Sequence, residues 1–180
     1  MPNEQLFPTF DKHKNLDYTN LLKNVLEAKD TKQKGASLEN LATFLANHST
    51  CFRPLGPMHT ATTQIDNFFE RRGYPGNFLD EMGRSIVVEC KNWEEKLGAP
   101  VITVVTEKCR NTNSNCAIVF CRAGLTGSKG YDAIGTIRNV FVREKIMILI
   151  VDESDLNAIG EGKNLIEILH ERWLGVKGLA

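Results

Sequence analysis

Ser85-Ile-Val-Val-Glu-Cys-Lys-Asn-Trp93 reads as a buried strand that ends by offering a carboxylate and an amine together. In a strand, successive side chains point to opposite faces. Ile86, Val88 and Cys90 therefore share one face, and Val87, Glu89 and Lys91 share the other. Glu and Lys are almost never fully buried unless paired. An apolar strand that carries both is a candidate site. The carboxylate suits a hard divalent cation, and the lysine beside it suits positioning or polarising a water.

The segments before this strand supply its neighbours. Residues 60–71 alternate as a second strand, with Thr63, Ile65, Asn67 and Phe69 on one face and Gln64, Asp66 and Phe68 on the other. The turn residues of 73–77 join the two strands as a hairpin with a long loop. Residues 51–60, with Pro54, Gly56 and Pro57, read as a loop. Before it, Leu38, Leu41, Ala42 and Leu45 form one face of a helix over about 37–47, with Ser37 as its expected N-cap. Leu21, Leu22, Val25 and Leu26 mark a shorter helix, broken at 30–35. Residues 1–16 are polar, contain Pro2 and Pro8, and are expected to form an arm.

After the strand, Pro100 suits a first helical turn, and Val101, Val104, Val105, Lys108 and Cys109 recur with helical spacing. Residues 115–121 and 145–151 are near-continuous apolar runs, the pattern of strands buried on both faces. Between them, residues 124–130 form a loop and 131–142 a helix through Ala133, Ile134, Ile137 and Phe141. Residues 165–173 form a closing helix, with Gly175 as its stop. The predicted order is α-α-β-β-α-β-α-β-α, an α/β fold over 17–180. Alternation in the second half implies parallel pairing, and the first two strands are close enough to pair antiparallel. A mixed central sheet flanked by helices results.

Composition sets the frame. The chain of 180 residues is 42% apolar and 24% charged, with 22 basic and 22 acidic residues. Its first residues lack the charged and apolar regions of a signal peptide, and no apolar run approaches bilayer length. A cytoplasmic protein with no membrane partner is expected. Five cysteines without a CxxC pair indicate reduced, buried thiols. His48, Cys51 and Cys109 lack the spacing of a recognised zinc site. A formal charge of zero is unusual for a nucleic-acid binder. The basic clusters at Lys29, Lys32 and Lys34, and at Arg71 and Arg72, are short and read equally as solvated surface.

Asp66, on the strand paired with the Glu89 strand, brings a second carboxylate to one place, register permitting. Asp66 and Glu89 then share one Mg²⁺, with Mn²⁺ as a substitute. Lys91 orients or helps deprotonate a water, and Glu39, from the packed helix, adds a third carboxylate or binds a metal-bound water. A cation, a nucleophile and charge stabilisation are what phosphodiester hydrolysis needs.

Three pieces together, Gly35-Ala-Ser-Leu-Glu39, Gln64-Ile-Asp66 and Val88-Glu-Cys-Lys-Asn-Trp93, resemble the PD-(D/E)xK nuclease superfamily, and its Mrr-like restriction endonuclease branch most closely. Ile118-Val-Phe-Cys-Arg-Ala-Gly-Leu-Thr126 and the helix from Asp132-Ala133 are similar to that branch too. The resemblance covers about residues 35–151. It implies a restriction-endonuclease-like fold and a Mg²⁺-dependent DNA endonuclease of a restriction or other defence system. In it Asp66 and Glu89 are metal ligands, Lys91 is the catalytic lysine and Glu39 the accessory acid. The chain departs from the branch in having Glu89 where Gln is frequent, a long gap between Asp66 and Glu89, and no winged-helix segment.

Other readings fit the same residues. One is a non-catalytic nuclease-like module that binds nucleic acid or a protein partner. Another is a nuclease acting on branched DNA or RNA. Cutting both strands of a duplex takes two sites, so a homodimer is expected. The neutral charge calls for a local basic patch or a partner subunit or domain in DNA recognition. Taken singly, Glu-x-Lys is also the signature of a cross-strand ion pair, and Thr126 between Gly124 and Gly127 reads as an ordinary loop or as a phosphate site at a helix start.

Overall fold

The computed structural model describes residues 12–59, 64–72, 77–127 and 132–178. A five-stranded mixed sheet runs through the molecule in the order β1-β4-β5-β6-β7. Its strands are β1 (Phe52–Pro54), β4 (Asn67–Arg71), β5 (Ser85–Lys91), β6 (Cys116–Cys121) and β7 (Met147–Val151). β1 and β5 pair antiparallel with β4, while β5, β6 and β7 run parallel. β2 (Met58–His59) and β3 (Gln64–Ile65) form a separate two-stranded ribbon.

The helices are α1 (Lys12–Glu27), α2 (Thr31–His48), α3 (Ala99–Thr112), α4 (Ala133–Glu144), α5 (Glu153–Gly160) and α6 (Leu165–Gly178). α3 and α4 are the crossovers that parallel pairing requires. Every residue of β6 is buried, as its continuous apolar run demands. All five thiols are free and buried. Among the described residues, no helix is long and apolar enough to cross a membrane.

Several boundaries depart from the sequence expectations for local reasons. α2 begins at Thr31, not Ser37, because the Asp30 carboxylate accepts from the Gln33 amide at 2.8 Å and caps an earlier start. The expected break therefore shrinks to three residues, 28–30. α1 starts at Lys12, inside the segment expected to be an arm; residues 1–11 lie outside the described residues. The expected loop at 51–60 contains β1, which continues the sheet beyond β4, and β2.

The expected strand over 60–71 is not continuous. Its first residues lie outside the described ones, and the rest breaks at Asp66 into β3 and β4. α5 was not expected. Its apolar content is short, but Asp152 and Asp155 form a reciprocal capping box around its first turn. α6 runs through Gly175 to Gly178. A helix-interior glycine costs only about 1 kcal/mol relative to alanine, and the buried face of Leu165, Ile168, Leu169 and Val176 outweighs it. In α3 the buried face is Ile102, Val105, Lys108 and Cys109; Val104 is exposed.

Candidate active site

β5 ends beside a cleft of about 480 Å³. Glu39 from α2, Asp66 from the β3–β4 bend, Lys91 from the end of β5, and Trp93 just beyond it all line this cleft, with Lys34 and Asn92. The local sequence explains the convergence. The last ladder pair between β4 and β5 is Asn67 with Val88. Asp66 is the next residue, and there the chain bends. Its Oδ2 accepts from the Cys90 amide at 3.0 Å, so a side chain replaces the ladder and fixes the carboxylate against β5. Asn92 is buried and donates to the Val25 and Lys34 carbonyls at 2.9 and 3.2 Å. It ties the α1–α2 corner, and with it the start of the helix carrying Glu39, to the end of β5.

Glu89 occupies a different environment from the other three. It is 2% exposed and does not line the cleft. Lys91 Nζ lies 2.5 Å from its Oε1, and Lys108 Nζ of α3 bonds its Oε2. The structure thus brings Glu39, Asp66 and Lys91 to one cleft and sets Glu89 beneath it in a Lys–Glu–Lys triad.

Lys108 is the residue that sequence reasoning passed over. The signal was present: a lysine on the apolar stripe of a helix is buried, and a buried ammonium needs a buried carboxylate.

The electrostatics follow from this placement. Burial raises the Glu39 pKa, Asp66 and Glu89 raise it further, and Lys91 opposes them. Burial, then the carboxylates of Asp66, Glu39 and Glu89, hold the Cys90 thiol well above its ordinary value. For Lys91, burial pulls the pKa down. The Glu89 charge and hydrogen bond, with Asp66, outweigh that and leave it raised. Lys91 is therefore an ammonium ion at neutral pH and a poor proton acceptor.

A raised carboxyl pKa in the folded chain means that ionising Glu39 opposes folding. Its penalty is absent at low pH and grows as pH rises from the ordinary glutamate value of 4.5 through the higher folded value. Glu39→Gln removes that penalty. In chelator, the melting temperature of the variant minus that of wild type should increase across this window and level off above it. A difference that stays flat with pH means that Glu39 feels no such field.

Among the described residues, no three His, Cys, Asp or Glu side chains are grouped so as to cage a metal ion. Mg²⁺ rarely uses such a cage, taking one or two carboxylates with waters and substrate phosphates. Asp66 and Glu39 bring hard oxygens to the cleft and make no ion pair with a described cation. That crowding of negative charge fits the cation.

Other histidines, tryptophans and basic residues are placed as follows. His48 is placed by its Nδ1, 2.8 Å from the Phe44 carbonyl, and by a tilted ring contact with Phe44. His59 is exposed in β2. Trp173 packs with Phe78 and His170, while Trp93 stays 48% exposed at the cleft with Lys91 5.7 Å from its ring. The Asp132 carboxylate accepts from the Gly135 amide and caps α4, so this helix start already carries an anion. Arg71 is engaged by Asp80 at 2.8 Å and Lys34 by Glu94 at 3.1 Å. The chain matches no protein-family model, no curated protein and no solved structure.

Proposed function

We propose that this chain is a Mg²⁺-dependent endonuclease that hydrolyses DNA phosphodiester bonds, built on a restriction-endonuclease-like variant of its mixed sheet. The observation that carries the reading is the convergence of Glu39, Asp66 and Lys91, from three separate elements, on one cleft, with Lys91 bonded to the buried Glu89. A cross-strand ion pair alone needs neither Asp66 nor Glu39 at that place.

Asp66, with Glu89, would hold the cation. Bound there, Mg²⁺ supplies neutralisation of phosphate charge and a more acidic water. Asp66 is fixed for this by its bond from the Cys90 amide. Lys91, as an ammonium ion, donates to a phosphate oxygen or pins the attacking water; it does not remove the proton. Glu39, whose carboxyl is held above its ordinary value by burial, is suited to accept that proton. Trp93, exposed beside Lys91, offers a flat face to a sugar or base.

One observation favours the competing reading of a non-cleaving nucleic-acid or protein-binding module: both Glu89 oxygens are already engaged by lysines. Incubation with supercoiled plasmid separates the two readings. The nuclease reading expects nicked and linear products with Mg²⁺ or Mn²⁺ and none with chelator. Plasmid retarded in a gel but left intact in both metals supports the module. Parallel branched-DNA and RNA substrates rank the substrate classes.

A further inference from the structure

We propose that Lys108 is a positioning residue that holds Glu89 by one oxygen, so that Lys91 can leave the other oxygen for work in the cleft. The inference rests on the nuclease reading for its purpose, though not for its test.

Glu89 is bonded from two sides by lysines in unlike settings. Lys108 reaches Oε2 from the buried face of α3, beside Val105 and Cys109, and its side chain is 7% exposed. It does not line the cleft. Lys91 reaches Oε1 from the strand's end, is 24% exposed and does line it. While bonded to Glu89, Lys91 Nζ already lies 5.7 Å from the exposed Trp93 ring.

A buried carboxylate that loses its sole cation is strongly destabilised. A single lysine could not both neutralise Glu89 and serve a substrate in the cleft. Two lysines divide the tasks: Lys108 stays with Oε2, and Oε1 becomes free when Lys91 moves. One carboxylate then has a fixed oxygen and a working oxygen. Such a partner fixes the orientation of a ligand without touching substrate, and loss of one commonly weakens metal binding by roughly 10-fold to 100-fold.

The test uses the full chain as wild type, Lys91→Met, Lys108→Met and Lys108→Arg, without DNA. It reads melting temperature in chelator and Mn²⁺ binding by titration calorimetry. Lys91→Met should melt close to wild type and bind Mn²⁺ at least as tightly, because Oε1 is vacated. Lys108→Met should melt below Lys91→Met, because it leaves Glu89 only the partly exposed cleft lysine, and should bind Mn²⁺ roughly 10-fold or more weakly. Lys108→Arg should restore both values. A Lys108→Met protein too unstable to purify, beside a normally folded Lys91→Met, is the same asymmetry in stronger form, and Lys108→Arg then carries the Mn²⁺ comparison.

Equal destabilisation by the two methionine variants overturns the proposal. So does a folded Lys108→Met that binds Mn²⁺ like wild type, or a Lys108→Arg that melts normally and has lost the ion. A chain that behaves as expected here yet cuts no nucleic acid keeps the Lys108 assignment and loses the nuclease reading. Cleavage by wild type beside equal destabilisation does the reverse.

Discussion

Lys91→Met should cleave DNA roughly 10²-fold to 10³-fold more slowly than wild type in single turnover, the usual loss when one preorganised charge-stabilising donor is removed. Lys91 lines the cleft and is bonded to Glu89. It stands between Glu89, whose Oε1 is 2.5 Å away, and the cleft carboxylates Asp66 and Glu39. Lys34 also lines the cleft, but Glu94 engages it at 3.1 Å, so it is no ready substitute. The fold should survive the change, since Lys108 still neutralises Glu89. Loss of rate with an unchanged melting temperature and near-wild-type DNA affinity is the expected pattern. A variant that cuts at the wild-type rate removes Lys91 from the chemistry.

Glu89→Ala should be the most destabilising single change at the site. Removing one partner of a buried ion pair costs about 3–5 kcal/mol, because the other charge is left unpaired in a poorly solvated place. Here two ammonium groups lose their shared partner, and Lys108 is nearly as buried as Glu89 itself. For a chain of this size the cost corresponds to a fall of roughly 10 °C or more in melting temperature. Glu89→Ala therefore cannot be read as a clean catalytic knockout, although Asp66→Asn can. The asparagine carbonyl still accepts from the Cys90 amide, so the bend is kept while the charge is lost. Adding Lys108→Met to Glu89→Ala should recover a large part of the lost stability, because the stranded cation is then gone. Thermal denaturation of the single and double variants checks this. Melting of Glu89→Ala within about 2 °C of wild type would contradict the triad as a buried, mutually dependent unit.

Much of the site was legible in the sequence because it lies on regular elements. The two-residue period of β5 correctly put Glu89 and Lys91 on one face, as their contact shows. The helical stripe of Leu38, Leu41, Ala42 and Leu45 is buried and leaves Glu39 at its edge, facing the cleft. The apolar runs of β6 and β7 fixed the parallel half of the sheet.

The misses arose where one polar side chain overrides periodicity. Asp30 caps α2 six residues ahead of Ser37. Asp66 breaks a strand that alternation alone carries straight through. Asp152 and Asp155 start a helix with little apolar content. Lys108 escaped notice because its partner lies 19 residues away on another element. A burial requirement can be read from a stripe, but the identity of the partner depends on how the helix docks.

Asp66 is proposed to belong to a metal-dependent phosphodiesterase site. The most direct measurement sets wild type and Asp66→Asn, purified identically and melting alike, against supercoiled plasmid over a Mg²⁺ titration with a chelator control. Wild type should nick the plasmid in proportion to bound Mg²⁺ and stop on chelation, while Asp66→Asn should leave it supercoiled throughout. Equal nicking by both proteins, or none by wild type at any Mg²⁺ or Mn²⁺ concentration on duplex, branched or RNA substrates, would contradict this assignment.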